Sequence, residues 1–280
     1  MNFFRALTSN FTSYSQRILG SLLRWIGRQT PNIPYVRAIP NRILKPVHSL
    51  LRIDGGVFDV MGFQMHLEPT QCVDGNLYFA PHLYDRDEIK LLQSKMPEDG
   101  VFVDVGGNIG FWSLYFSWLF PKSRIFVIEA NPVTFAILCE NIKVNAFQNV
   151  MPIQLGVSDE VGEFPLWCND TGNRGADSFL DYSANRTRCI SVAVKPLLDI
   201  LVSAGVLRID VMKIDIEGLE LRVLTRFFAE APRELWPSFI CAEVSHVPNI
   251  VNELKKIGYT VVLAVGENCV FELISVSNFN

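Results

Sequence analysis

The sequence predicts an α/β domain on a seven-stranded, mostly parallel sheet with one antiparallel edge strand, preceded by a basic helical extension. Three observations carry this expectation. From residue 101 onward, short β-branched and aromatic runs alternate with helical patterns, and such alternation builds parallel βαβ units. The last two runs, "TVVLAV" and "CVFELISV", flank only "GEN", a spacing that makes an antiparallel hairpin. Before Asp54 there is no acidic residue, whereas Arg5, Arg17, Arg24, Arg28, Arg37, Arg42, Lys45 and Arg52 are basic. That segment carries +8, and because the whole chain carries −4, the remainder carries −12.

The elements follow in order. Phe4, Leu7, Phe11, Tyr14, Ile18, Leu22 and Trp25 recur at three- and four-residue steps, one apolar stripe of a helix over residues 1–28. "QTPNIPYVRAIPNRILKP" holds four prolines and reads as an irregular connector. Residues 1–52 thus form an extension and residues 53–280 the main domain. "GVFDVMGFQMHLE" suits one or two short strands, and residues 85–95 a short helix. "VFVDV", "RIFVIE" and "VMPIQLGV" are the next strands, separated by helices over about 109–119 and from Pro132 to about Asn145. Proline at a first helical turn loses no hydrogen bond. "EFPLWC" and "CISVAV" bracket a polar loop, 169–187, a candidate lid or an ordinary surface insertion. A short helix ending at Gly205, strand "IDVMKID", a helix from Leu219, strand "SFICAEV" and a helix over 248–258 complete the pattern.

Composition bounds the class. At 49% hydrophobic and 19% charged, the chain is neither disordered nor low in core-forming residues. No uncharged apolar run reaches the ~18 residues of a membrane span. Six cysteines form no CxxC pair, which suits free thiols in a reducing cytoplasm.

The stretch "VFVDVGGNIG" runs a buried strand into a glycine loop at Asp104. In open α/β sheets, ligands sit beyond the carboxyl ends of the strands, and glycine lets backbone approach them closely. A strand-to-helix turn also favours glycine on its own account. Glu129 ends the next strand, 19 residues after Gly110, where a carboxylate can accept hydrogen bonds from two ribose hydroxyls. The dinucleotide fingerprint GxGxxG fails, because Asn108 and Phe111 stand where it needs glycine. A carboxylate at the strand end suits a cationic ligand better than a pyrophosphate, and S-adenosylmethionine carries an ammonium and a sulfonium. Asp104, Gly106, Gly107, Asn108, Gly110, Glu129, Asn131 and Ser158 form the expected cofactor set. In "KIDIEGLE", Asp215 and Glu217 end a further strand; they either border the same pocket or cap the next helix.

These segments together resemble the FkbM-type methyltransferases. "VFVDVGGNIGFWSL" is similar to that family's first motif, with Gly107 in place of its alanine. "VIEANP" is similar to the second, with Ala130 in place of proline, and "KIDIEGLELRVL" to the hallmark Lys-x-Asp-x-Glu-Gly-x-Glu. The likeness covers about residues 55–275, including "HLYDRDEIKLL". It implies a class I Rossmann-like methyltransferase fold, S-adenosylmethionine as cofactor, and methylation of a hydroxyl of a sugar, glycan, lipid-linked glycan or secondary metabolite. A NAD-dependent oxidoreductase or epimerase, or a non-catalytic binding module, is the competing reading.

An alcohol acceptor must lose a proton, and a positioned base contributes about 10²–10⁴-fold. His246 ends "ICAEVSH" at a strand's carboxyl end, and histidine is the side chain best suited to exchange a proton near neutral pH; Asp215, Glu217 and Glu243 are the other candidates for base or acceptor positioning. No cluster shows clear metal spacing, so no metal is expected, although Asp215 and Glu243 are oxygen donors of the right kind. His48, His66 and His82 read as structural. The extension has three readings: an amphipathic helix on an anionic membrane surface, a targeting segment, or a face packed on protein. The four arginines of residues 1–28 are worth about 1 kcal/mol each beside such a membrane. Nucleic acid is not expected as a partner, because the acidic body repels phosphate. The expected partner is a small-molecule or glycan acceptor.

Overall fold

The computed structural model describes residues 16–33, 35–51, 53–169, 172–180, 188–247 and 249–274. Phe4, Leu7, Phe11 and Tyr14 of the apolar stripe, and residues 170–171 and 181–187 of the expected lid, lie outside them. The chain divides into two compact units, Met1–Arg86 and Asp87–Asn280.

In the first unit, residues 16–28 are helical (α1), followed by α2 (Lys45–Leu50), the antiparallel pair β1 (Gly56–Val60) and β2 (Phe63–Leu67), and α3 (Cys72–Phe79). The boundary expected after residue 52 differs from this division, which falls after Arg86. The structure groups β1, β2 and α3 with the extension because α1 packs on them. A Cβ on Gly20 would meet Ile53 Cγ2 at 3.0 Å, and one on Gly27 would fall 2.5 Å from the Phe79 carbonyl oxygen. Tyr78 Oη donates to Gly20 O at 3.2 Å, and the Arg24 and Arg28 guanidinium groups both donate to Asp59 O. His48 is buried edge-on to Tyr78, and His82 Nε2 lies 2.8 Å from Thr30 O.

The Pro-rich connector is not wholly irregular. It holds a 3₁₀ turn at Val36–Ala38 and a π-helical turn at Pro40–Leu44 that runs straight into α2. Pro40 stands in the first turn of this stretch, where the missing N–H costs nothing, and Pro46 follows at the start of α2.

Helix α4 (Arg86–Gln93) begins at the last residue of the first unit, and the second unit continues with β3 (Val101–Val105), α5 (Phe111–Leu119), β4 (Arg124–Glu129), α6 (Pro132–Val144) and β5 (Val150–Gln154). There follow β6 (Gly156–Ser158), β7 (Gly162–Cys168), β8 (Arg188–Pro196), α7 (Leu197–Ser203), β9 (Val211–Ile214), α8 (Glu220–Glu230), β10 (Phe239–Glu243), α9 (Ile250–Lys256), β11 (Tyr259–Val265) and β12 (Asn268–Leu273). The main sheet has seven strands in the order β11-β12-β10-β9-β3-β4-β5. Its five central and outer strands β10, β9, β3, β4 and β5 are parallel, and β12 runs antiparallel between β10 and β11. This is the expected class I methyltransferase arrangement, with one refinement. The antiparallel strand sits one place in from the edge, because the hairpin's second strand, not its first, pairs with β10.

Strands β3, β9 and β10 are buried at every position, as central strands covered on both faces must be. The alternation of β3 assigns its faces. Val101, Val103 and Val105 belong to the apolar cluster that includes Val223, Leu224 and Phe227 of α8. Phe102 points the other way and stacks on Phe116 of α5 at 4.7 Å, and Asp104 bonds to Ser113 of the same helix. The run "VMPIQLGV" is divided rather than continuous: β5 ends at Gln154, and β6 joins a separate three-stranded sheet, β6-β8-β7. Gly156 permits this departure, since a Cβ there would lie 2.5 Å from the Phe179 ring.

Candidate cofactor and acceptor site

From β3 the chain proceeds to β4 and β5 on one side, and later returns as β9 and β10 on the other. The reversal between β3 and β9 is where an open α/β sheet leaves a crevice beyond its strand ends. Every sequence-predicted site residue lies in this unit, and most of them meet at that edge.

Asp104 is 1% exposed; its Oδ2 accepts from Ser113 Oγ at 2.7 Å, and its Oδ1 has no hydrogen-bond partner among the described residues. Burial raises its pKa, opposed first by the nearby charge of Lys213, the residue beside it in the β3–β9 register. The loop that follows is held from below: Gly106 and Gly107 N–H both donate to Ile128 O at 2.9 Å. Gly106 takes φ +79°, and a Cβ there would fall 1.9 Å from Asp215 O. The glycines are therefore needed by close contact between the β3 and β9 loops, as well as by any ligand. Gly106→Ala is expected to cost about 2–5 kcal/mol, from positive φ and an unyielding backbone neighbour, measured as a lowered urea midpoint.

Glu129 closes the other side of the loop. Its Oε2 accepts from Asn108 N–H at 2.9 Å and its Oε1 from Asn131 N–H at 2.8 Å. Burial pushes its pKa up to about 7, against the pull of those two N–H groups. Asn131 caps α6, its Oδ1 accepting from Val133 N–H at 2.9 Å, while its Nδ2 donates to Asp177 Oδ2 at 2.6 Å. Its amide is thus engaged at both ends. Ser158 stands apart: it is buried in β6 of the small sheet, and its hydroxyl faces Asp159 Oδ1 at 3.2 Å.

The hallmark segment builds the second half. Lys213, 8% exposed, lies 3.0 Å from Asp215 Oδ2. Glu217 adopts φ +54°, a left-handed conformation rare outside glycine. Glu220 over-determines that bend: its Oε1 accepts from Ile216 N–H at 2.8 Å and its Oε2 from Gly218 N–H at 3.0 Å. Glu220, the first residue of α8, thus braces the loop that enters the helix and does not cap the helix itself. From the far loop, Ser178 Oγ donates to Glu217 O at 2.9 Å. His246 Nε2 lies 3.6 Å from both Glu217 Oε2 and Glu243 Oε1. Glu243 is 9% exposed, accepts from Ser245 Oγ, and has its pKa raised by burial and by the neighbouring Asp215. Single donor atoms of Glu217, Glu243 and His246 lie within 4.8 Å of one another, as do those of Asp215, Glu220 and Glu243.

Burial also pushes Glu220 up to about 7 from an ordinary 4.5. Glu129 and Glu220 thus keep protons in the folded chain that the unfolded chain releases, so their contribution to stability falls as pH rises from about 4.5 to 7. Glu220→Gln removes one of these titrations and leaves one buried N–H without an acceptor, a loss of about 1–3 kcal/mol. Urea titrations from pH 5 to 7 should show a lower midpoint at pH 5 and a shallower pH slope in the variant.

Lys213, Glu220, Ser113, Ser178 and Ser245 join the site without being among the residues expected from the sequence. The first two stand inside the hallmark itself, and Ser113 lies on the face of α5 that meets Asp104. Nothing local marks Ser178, which reaches the site only by long-range folding.

The methyltransferase FkbM domain model matches residues 104–261. Among curated relatives, methyltransferase sdnD of Sordaria araneosa is 30% identical over 175 residues, 52% of this chain and 64% of that protein. Hexuronic acid methyltransferase AglP of Haloferax volcanii is 33% identical over 141 residues, 50% of this chain and 55% of that protein. The chain therefore spans less than two thirds of the length of either. Among solved structures, M. jannaschii TYW2 in complex with AdoMet aligns with a TM-score of 0.40 at 15% identity, over 79% of this chain and 87% of that one. With a family match over more than half the chain, on motifs that meet at one sheet edge, this protein belongs to the FkbM methyltransferase family, whose cofactor is S-adenosylmethionine.

Proposed function

We propose that the protein O-methylates a hydroxyl of a sugar, glycan, lipid-linked glycan or secondary metabolite. The observation that carries this reading is His246, 3.6 Å from both Glu217 and Glu243 beyond the ends of β9 and β10. The cofactor half fits. The unpartnered, buried Oδ1 of Asp104 suits a cationic amino-acid tail. Each Glu129 oxygen, already holding one N–H, retains a lone pair for a ribose hydroxyl. When bound, S-adenosylmethionine supplies an electrophilic methyl group.

The chain's own residues supply positioning and proton transfer. His246, with Nε2 3.6 Å from both carboxylates, is the group assigned to take the acceptor's proton. The charge so formed rests beside Glu217 and Glu243, while Glu220 and Ser178 hold Glu217 in place. In-line displacement needs chiefly such alignment. The reading assigns no metal, although the donor atoms of Glu217, Glu243 and His246, and of Asp215, Glu220 and Glu243, are grouped closely enough to hold one. It also assigns no nucleic-acid partner, in keeping with the −12 carried by the residues from Asp54 onward. A reducing cytoplasm suits the free thiols of all six cysteines, and among the described residues no helix is long and apolar enough to cross a membrane.

Similarity to a hexuronic acid methyltransferase favours a sugar acid as the first acceptor to try. Tritiated S-adenosylmethionine, a panel of hexuronate glycosides and EDTA provide the test. Alkali-stable label on the glycoside, unaffected by EDTA, is expected. Alkali-labile label would indicate a carboxyl ester and overturn the hydroxyl assignment; loss with EDTA would overturn the metal-free one.

A further inference from the structure

Helix α1 has two unlike sides. At about 100° per residue, Trp25, Ile18, Leu22, Ile26 and Leu19 fall within an arc of about 120°, and all five are 40–61% exposed. The opposite side carries Gly20 and Gly27, both buried, pressed on Ile53, Tyr78 and Phe79. A surface helix ordinarily turns its apolar stripe inward. Here glycines make the inward contact and the apolar stripe is left outside. Single exposed apolar side chains need no explanation, but a contiguous patch marks an interaction surface.

Charge identifies the occupant. No carboxylate occurs before Asp54, and Arg17, Arg37 and Arg42 are exposed, while Arg24 and Arg28 are turned to Asp59. A second copy on this face would set one +8 segment against another, a like-charge contact that disfavours association. An anionic surface meets no like charge on this segment. The described part of α1 is too short to cross a bilayer core of about 30 Å, and a helix of this pattern lies in the headgroup plane instead.

We propose that the exposed apolar side of α1, in a segment whose exposed charges include Arg17, Arg37 and Arg42 and no carboxylate before Asp54, docks on an anionic lipid surface. In sequence the same stripe continues upstream through Phe4, Leu7, Phe11 and Tyr14, which lengthens the apolar edge available. This inference is independent of the methyl-transfer reading, since cofactor binding by the second unit is measured separately.

The test is sedimentation of the full chain with phosphatidylcholine vesicles, with and without about 30% phosphatidylserine. Binding should be about tenfold stronger on the anionic vesicles and weaken steeply with added salt. Leu22→Glu combined with Trp25→Glu should lose about tenfold or more, with affinity for S-adenosylhomocysteine unchanged by calorimetry. If that variant fails to fold, Arg17→Gln/Arg37→Gln/Arg42→Gln should instead lose about fivefold or more. Equal binding to both vesicle types, or a folded variant that binds as well as the parent, overturns the proposal. So does a parent that is dimeric and vesicle-free while the variant is monomeric, which would make the face a contact between copies.

Discussion

Replacing His246 with alanine is expected to lower kcat by about 10²–10⁴-fold, the range for loss of a positioned base. Affinity for S-adenosylhomocysteine should stay within about threefold, because neither Asp104 nor Glu129 is disturbed. The split matters, since a variant that merely loosened the fold would weaken both. His246→Gln keeps a hydrogen-bonding side chain but cannot hold a proton, so it should fall with alanine. Glu217→Gln and Glu243→Gln each remove one of the two carboxylates 3.6 Å from Nε2, and should give smaller losses. If His246→Ala turns over like the parent on a verified acceptor, the base lies elsewhere, and Asp215 becomes the residue to test.

A second large effect is expected at Glu129. Glu129→Ala should weaken S-adenosylmethionine and S-adenosylhomocysteine alike by about 10²–10⁴-fold, because two hydrogen bonds to a charged acceptor are worth about 1.5–3 kcal/mol each. The side chain also holds Asn108 and Asn131 N–H, so part of the loss comes from the loop. The pH dependence separates the two contributions. With Glu129 pushed up to about 7, its ionised form, the better acceptor, predominates only above that pH. Parent affinity should therefore fall as pH drops through about 7, whereas Glu129→Gln should be weak and flat over the same range. Calorimetry from pH 6 to 8 makes the comparison. A parent profile that is level through this window would remove Glu129 from ribose binding.

The strands, their order of appearance and the three motif segments were readable because their signals are local. Apolar runs, glycines at fixed offsets and a carboxylate at a strand end need only a few neighbouring residues to be recognised. Glu129 and Asp104 stood out on that basis. The run "VMPIQLGV" shows where local reading misleads: it looks like one strand, yet Gly156 redirects the chain into a second sheet.

What the sequence determined by itself is the family's fold and the residue types at each strand tip, since burial pattern and motif spacing are properties of short stretches. Only the tertiary structure decided which of those residues act together. Glu220 clamps the bend at Glu217, Ser178 arrives from 39 positions away, and the stripe of α1 faces outward because Gly20 and Gly27 take the inner contact. Each depends on which backbones approach closely enough to exclude a side chain or complete a hydrogen bond, and such distances are set by packing between segments remote in the chain.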